Sequence, residues 1–427
     1  MNKQILFCSH DFEQKYHRGI TFYSKAVVKV LGELGYENHI VTSAPFSNYK
    51  NIQELYIAQK LYNPEPYDKN GKHMNLPKYF LDKVGMGHRY RIVHLDYIDI
   101  TEPKLSYLKY VKSYVNKPNF YYYLYLQARL SEKPYFIRFD KFDTIFTTSP
   151  LSIKAPKKIR LIQTIHDCIP LLTLTHNGDN PLVFHRRIKN TLEYSDKVVS
   201  VSEYSKLETL KLFPNYQDKI EVTYQPVPIY PEEEEESKDP LVQKAILESY
   251  KLEKNGYFFY VGFLEKRKNI ENIVNAHSAV SDKLKIPMVF AGEIDWSDRD
   301  IVKTITNARK KNIRYIGHIS TLAKLVLIRN AAAFVFASKY EGFGLPPVEA
   351  MKLGCPVISS KTSSLKEVCG DAGILVDPNN ISEIADAMTT IVENPSLRDS
   401  LIERGYKRAE FFSFDNYKAR LVKVLES

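Results

Sequence analysis

Between Tyr257 and Val392 short apolar runs take turns with longer amphipathic stretches. Tyr257–Val261, Pro287–Ala291, Ile313–Ile316, Ala333–Ala337 and Pro356–Ser359 read as strands. Asn269–Ser281, Ser297–Lys310, Thr321–Asn330, Pro346–Lys352 and Ile381–Val392 read as helices. Strands joined through helices pair in parallel, and a parallel sheet covered on both faces needs strands apolar throughout. The first half starts the same way: apolar Ile5–Cys8, a loop with Gly19, a helical pattern over Thr21–Leu34, then Asn38–Val41. Further candidate strands are Arg91–Leu95, Thr144–Thr147, Arg160–Ile165 and Lys197–Val201. Between the halves, residues 224–231 are proline-rich and Glu232–Glu236 is a run of like charge, which reads as a solvated hinge or linker. The expected fold is α/β: two doubly wound parallel-sheet domains, 1–230 and 231–410, facing a central cleft at the carboxyl ends of their strands, where open α/β sheets bind ligands. Segment 45–90, rich in Tyr, Asn, Pro and Lys without clear periodicity, reads as an irregular insertion.

At 427 residues the chain exceeds one ordinary core. Its 44% hydrophobic and 26% charged residues are those of a folded globular protein. No apolar run approaches the ~18 residues a membrane-spanning helix needs, and Ile5–Cys8 is too short for a signal peptide. Cys8, Cys168, Cys355 and Cys369 lack paired spacing, so neither a disulfide framework nor a zinc site is implied, and a reducing compartment fits. The charge is uneven. Residues 1–230 hold 32 Lys and Arg against 22 Asp and Glu, while 231–427 hold 28 of each. A basic first half suits an anionic partner such as phospholipid headgroups or a lipid-linked phosphate; an equally open reading is a lysine-rich surface with no partner. Segment 104–142, crowded with Tyr and Lys, reads either as an amphipathic helical region touching a membrane or as a helical pair packing its tyrosines inward. The expected location is the cytoplasm, with peripheral association at the inner face of a membrane as its extension.

Three segments carry chemistry. In Ala337–Ala350 a strand gives way to a helix that starts near Pro346, and Gly342 and Gly344 allow a tight backbone whose amides can converge with the helix N-terminus on an anion. Glu341 lies in that loop and Glu349 in the helix, where carboxylates can accept hydrogen bonds from sugar hydroxyls. Set against this, Glu349 could only complement the helix dipole and Glu341 could be a solvated loop residue. After the strand ending at Val261, Arg267 and Lys268 occupy another strand-to-helix loop, where two cations can neutralise a diphosphate. In the first half, His166-Asp167-Cys168-Ile169-Pro170 ends a strand and points His166 toward the expected cleft.

Taken together, Glu341-x7-Glu349 with Gly-Phe-Gly between, Val261-Gly-x4-Arg267-Lys268-Asn269, His166-Asp167-x-x-Pro170 and Val201-Ser202-Glu203-x-Ser205-Lys206 resemble retaining glycosyltransferases of family 4. The likeness runs from about Ile5 to the C-terminus and is densest over 256–380. It implies a GT-B fold of two Rossmann-like domains, the acceptor in the first and a nucleotide-diphosphate sugar in the second, with 411–427 a helix packing back on the first. It also implies that Arg267 and Lys268 contact the diphosphate and that Glu349 bonds the ribose hydroxyls. Glu341 with the amides of Phe343, Gly344 and Leu345 would hold the transferred sugar and its phosphate, with His166 at the reacting sugar. Gly19 would let the first loop approach the diphosphate, and His318-Ile319 would face the base. The family often has a basic residue where Phe263 stands and two glycines where Arg18-Gly19 stands; Arg18 then reads as an extra cation or a plain replacement.

The implied reaction is retaining hexosyl transfer, catalysed chiefly by His166, Glu341 and Lys268 without a metal or other cofactor. The donor is a GDP- or UDP-sugar, with GDP-mannose the first guess, and the acceptor a hydroxyl of a glycan or lipid-linked acceptor in cell-surface polysaccharide synthesis. Asp298-Arg299-Asp300 matches the D-x-D of metal-dependent transferases, yet it falls at a helix start, where acidic residues suit the dipole. Competing readings are a non-catalytic polyanion-binding protein and a GT-B epimerase or phosphorylase. Acidic loops at the cleft would repel phosphate backbones, so nucleic acid is not expected.

Overall fold

The computed structural model describes residues 3–13, 19–45, 50–62, 76–83, 90–95, 103–139, 141–172, 180–307 and 312–427. They form two compact units: Met1–Val201 with Lys206–Thr223 and Lys418–Ser427, and Ser202–Ser205 with Tyr224–Tyr417. Apart from the short excursion of Ser202–Ser205, the chain changes unit after Thr223 and again after Tyr417.

The first unit is built on an eight-stranded sheet. From one edge the strands are Ile220–Val222, Lys197–Ser200, Arg160–Ile165 and Thr144–Thr147, then Gln4–Cys8, Glu37–Thr42, Val111–Asn116 and Arg91–Val93. Neighbours run parallel except Arg91–Val93, which lies antiparallel at the edge. Ile5, Leu6, Phe7 and Cys8 are all fully buried, as a strand covered on both faces requires. The order reverses between Gln4–Cys8 and Thr144–Thr147, so the loops after these two strands flank the sheet's switch point.

Two expectations for this unit need correction. Segment 45–90 is not irregular where it is described: Lys50–Tyr62 and Leu76–Lys83 are helices. Segment 104–142 is not a helical pair. A short 3-10 stretch, Pro103–Tyr110, leads into the strand Val111–Asn116, and only Phe120–Leu130 is α-helical. Its Tyr107, Tyr114, Tyr121 and Tyr123 are buried. Their rings serve the core: Tyr123 packs on Tyr79 at 5.9 Å, Tyr107 stacks on Phe12 at 5.3 Å, and the Tyr121 hydroxyl donates to the Val41 carbonyl at 3.2 Å. Tyr107 and Tyr114 drop inward while Lys109 and Lys112 between them stay out, a pattern that resembles an amphipathic surface when only the composition is read.

The second unit holds a six-stranded, all-parallel sheet in the order Ile313–Tyr315, Met288–Ala291, Phe258–Val261, Ala333–Phe336, Val357–Ser360, Ile374–Val376. This is the doubly wound dinucleotide-binding order, reversing between Phe258–Val261 and Ala333–Phe336. Aromatic side chains fill the middle: Tyr260 stacks on Phe336 at 5.7 Å and Phe334 on Phe336 at 6.0 Å. The expected linker is folded. Pro231–Glu236 is a helix with proline in its first turn followed by Glu232, Glu233 and Glu234, so the like charges that suggested solvated coil instead complement the helix N-terminus. Helices over Pro240–Ser249, Ser363–Cys369 and Pro395–Phe411 complete the coat.

Candidate active site

The two strands at the reversal of the second sheet end in the two loops that carry Arg267-Lys268 and Glu341. Residues 266–268 form one 3-10 turn, stopped by Asn269 at φ 62°, and the helix Ile270–Leu284 follows. Asn269 tolerates this left-handed conformation, and its side-chain amide donates to the carbonyls of Ala337 (2.9 Å) and Pro378 (2.6 Å), tying the first loop to the second. Lys339 N–H completes the tie by donating to Arg267 O at 2.9 Å.

Across this joint Lys268 Nζ lies 2.6 Å from Glu341 Oε1, and Arg267 Nη1 lies 3.1 Å from Glu341 Oε2. Arg267 also pairs with Glu265 and donates to Tyr340 O at 2.6 Å. The Lys268 ammonium stands 5.1 Å from the centre of the Phe336 ring, so its charge is backed by a π face. Glu341 is 7% exposed. Burial raises its carboxyl, but Lys268 and Arg267 outweigh burial and bring it down to about 2. Burial is also the largest influence on Lys268 and lowers its pKa, with Glu341 opposing. The depressed carboxyl keeps Glu341 ionised, and its negative charge opposes the loss of the Lys268 proton that burial favours.

Hydroxyls hold the Glu341 loop from every side. Ser202 and Ser205 donate to Gly342 O at 2.6 and 2.9 Å. Ser364 Oγ donates to Glu341 O and Phe343 O, each at 2.9 Å, and Glu341 N–H donates to Ser363 Oγ at 3.1 Å. Gly344 caps the helix Leu345–Lys352 at φ +100°, where a side chain would also strike Leu365 Cδ2 at 2.4 Å. Phe343 is buried against Phe412, rings 5.3 Å apart, so only its backbone can serve a ligand. One turn inside the helix, buried Glu349 accepts from Lys324 Nζ at 2.8 Å. His318 is exposed and Ile319 buried at the loop after the strand Ile313–Tyr315, just before the helix Thr321–Arg329 that carries Lys324.

Lys268, Arg267 and Glu341 are therefore in direct contact, and Phe343, Gly344, Leu345 and Glu349 follow Glu341 on the same loop and helix. His166 and Gly19 belong to the first unit. There His166 Nε2 donates to Thr148 O at 2.7 Å, and Tyr23 meets its ring edge-on at 5.1 Å. Burial lowers the imidazole pKa to about 4, so the ring is neutral near pH 7. Gly19 opens the helix Gly19–Glu33, while Arg18 lies outside the described residues. Asp298 serves the backbone: its Oδ1 accepts from Asp300 N–H (3.1 Å) and Ile301 N–H (3.3 Å), capping the helix Arg299–Asn307. The residues missed from the sequence are Lys324, Ser363 and Ser364, together with the bonding role of Ser202 and Ser205. The Ser-x-x-Ser at 202–205 and the serine-rich run at 359–364 were the visible signals.

A doubly wound sheet with a basic pair, a buried carboxylate and a glycine-bounded helix N-terminus at its switch point is an arrangement that can receive an anionic, hydroxyl-rich ligand. The family model of glycosyl transferases group 1 matches residues 242–408. O-antigen chain mannosyltransferase B of Escherichia coli is 30% identical over 262 residues, 60% of this chain and 68% of that protein. O-antigen chain mannosyltransferase RfbU of Salmonella typhimurium is 26% identical over 272 residues, 61% and 71% of the two chains. The crystal structure of Anabaena Alr3699/HepE in complex with UDP and glucose superposes with a TM-score of 0.64 at 13% identity, covering 100% of both chains. The chain belongs to the glycosyl transferases group 1 family, and its fold is GT-B.

Proposed function

We propose that this glycosyltransferase is a retaining, metal-independent hexosyltransferase. It moves mannose, or a related hexose, from a nucleotide-diphosphate sugar to a hydroxyl of a glycan or lipid-linked acceptor in cell-surface polysaccharide synthesis. The observation that carries the reading is the Lys268–Glu341–Arg267 cluster at the sheet's order reversal. The mannose assignment draws on the O-antigen mannosyltransferases among the relatives, and the nucleotide on the UDP bound by a structural neighbour.

In this reading Lys268 and Arg267 neutralise the diphosphate as it leaves, a role for which fixed cations in a partly dry site are strong. Glu341 holds both cations in place and accepts from sugar hydroxyls. The amides of Phe343, Gly344 and Leu345 take phosphate and sugar oxygens at the helix N-terminus. Glu349 accepts the ribose hydroxyls, and His318-Ile319 meet the base. His166 and Gly19 of the first unit serve the reacting sugar and the diphosphate. Because no carboxylate is assigned as a nucleophile, the acceptor hydroxyl attacks on the face the diphosphate leaves, which retains the anomeric configuration. Charge stabilisation comes from side chains and amides, so chelation should not matter. Contact with an anionic inner membrane face rests on the basic first half, no longer on the tyrosines of 104–142. Among the described residues no helix is long and apolar enough to cross a membrane.

The test is turnover of GDP-mannose and of UDP-hexoses with lipid-linked glycan acceptors, with and without EDTA, and product anomers read by NMR. Transfer with retained configuration, unaffected by EDTA, is expected. Inverted product, loss of turnover on chelation, or hydrolysis and epimerisation without transfer would each overturn the corresponding part.

A further inference from the structure

The charge arrangement around Glu349 extends beyond what ribose recognition alone would need. Glu349 Oε1 is held by Lys324 at 2.8 Å, and both side chains are largely buried, 6% and 18% exposed. Among the described residues the other oxygen, Oε2, makes no hydrogen bond within the protein. Lys324 also feels Glu233, a carboxyl of the helix Pro231–Glu236. That helix is pinned in place: Glu234 pairs with Lys352 at 3.3 Å, and Arg329 Nη2 donates to Ser237 Oγ at 3.3 Å. Lys324 is thus paired with Glu349 and within electrostatic reach of a second carboxylate on a separate helix.

With Oε1 taken by Lys324, Glu349 recognises a vicinal diol through Oε2, which must then face both hydroxyls. Each bond to a charged acceptor depends steeply on direction. A cation fixed on Oε1 removes that freedom, because turning the carboxylate would break a buried ion pair. We propose that Lys324 is a positioning residue for the sugar donor: by holding Glu349 Oε1 it aims Oε2 at the two hydroxyls of the donor's ribose. The inference rests on the assignment of Glu349 to the ribose.

The probes are GDP and UDP with their 2′,3′-dideoxy forms, titrated by calorimetry into wild type, Lys324→Met and Lys324→Arg. Wild type should bind the ribo form of its preferred nucleotide about tenfold or more tighter than the dideoxy form. In Lys324→Met the ribo form should weaken by about tenfold while the dideoxy form changes little, so that the preference collapses. With donor, KM should rise while kcat holds. Lys324→Arg keeps the charge and should keep most of the preference. Removing the charge leaves Glu349 and Glu233 uncompensated; should Lys324→Met fail to fold, Lys324→Gln, which can still donate a neutral hydrogen bond, takes its place, with a partial loss of preference expected. If wild type itself does not prefer the ribo form, the Glu349 assignment fails and the inference with it. If wild type prefers it and the folded, uncharged variant keeps the full preference, Lys324 has no positioning role and the Glu349 assignment stands.

Discussion

Replacing Glu341 by Gln tests the buried ion cluster most directly, and its size can be worked from the structure. The carboxyl moves from 4.5 to about 2 on folding, the attraction of Lys268 and Arg267 exceeding the cost of burial. By linkage such a displacement favours the folded chain by about 3 kcal/mol. Because the folded pKa is the lower one, this stabilisation is complete above the unfolded value and drains away as pH falls toward 2. Glu341→Gln removes it and leaves Lys268, whose pKa burial already lowers, beside Arg267, with Glu265 the remaining carboxylate paired to the cluster among the described residues. Urea denaturation of wild type and variant at pH 7 should differ by about 3 kcal/mol, and the gap should shrink to about half at pH 3. Donor turnover should be lost as well. A gap well under 1 kcal/mol at neutral pH, or one that stays constant into acid, would refute the argument that the cations hold Glu341 ionised.

Further outcomes follow from the geometry. Gly344→Ala places a methyl at φ +100° and 2.4 Å from the end of the Leu365 side chain, which can shift; a folded protein with a raised donor KM is expected in steady-state assays. Gly292→Ala instead meets the Gly262 carbonyl at 2.0 Å, a backbone obstacle between adjacent strand ends, so loss of soluble, cooperatively unfolding protein is expected. The His166 imidazole, lowered to about 4, should show no protonation in NMR titrations between pH 5.5 and 8; since the unfolded ring binds its proton first, stability should decline as pH drops from about 6.5 toward 4. Finally, the Arg160 guanidinium donates to Leu425 O and to Val424 O, the latter at 2.8 Å, capping the last turn of the helix Phe414–Glu426. Arg160→Met should speed amide exchange in that helix without changing exchange across the second sheet.

The places where the sequence misled share one cause. Glu232–Glu236 looks like coil when charge alone is counted, but a proline at the first position and three glutamates behind it make a helix start. The tyrosines of 104–142 leave a surface and an inward packing equally open because composition does not say which way a ring points; Tyr79 and Val41, distant in sequence, supply the partners that draw Tyr123 and Tyr121 inward. Lys324 gave no signal at all. It precedes Glu349 by a strand and a loop, and only the fold of the whole unit brings its ammonium onto the carboxylate.

What the sequence determined by itself is local and periodic: the strand-helix alternation of the second half, the glycines that free the backbone around Glu341, and the presence of Arg267, Lys268, Glu341 and Glu349 at strand-to-helix transitions. Each follows from side-chain sterics and the period of burial, which neighbours along the chain already express. Tertiary structure alone decided the order of the strands, and with it that the loops after Val261 and Phe336 adjoin. Strand order is set by which helices can cover which faces, a property of the whole sheet. The 2.6 Å contact between Lys268 and Glu341, 73 residues apart, exists only because of it.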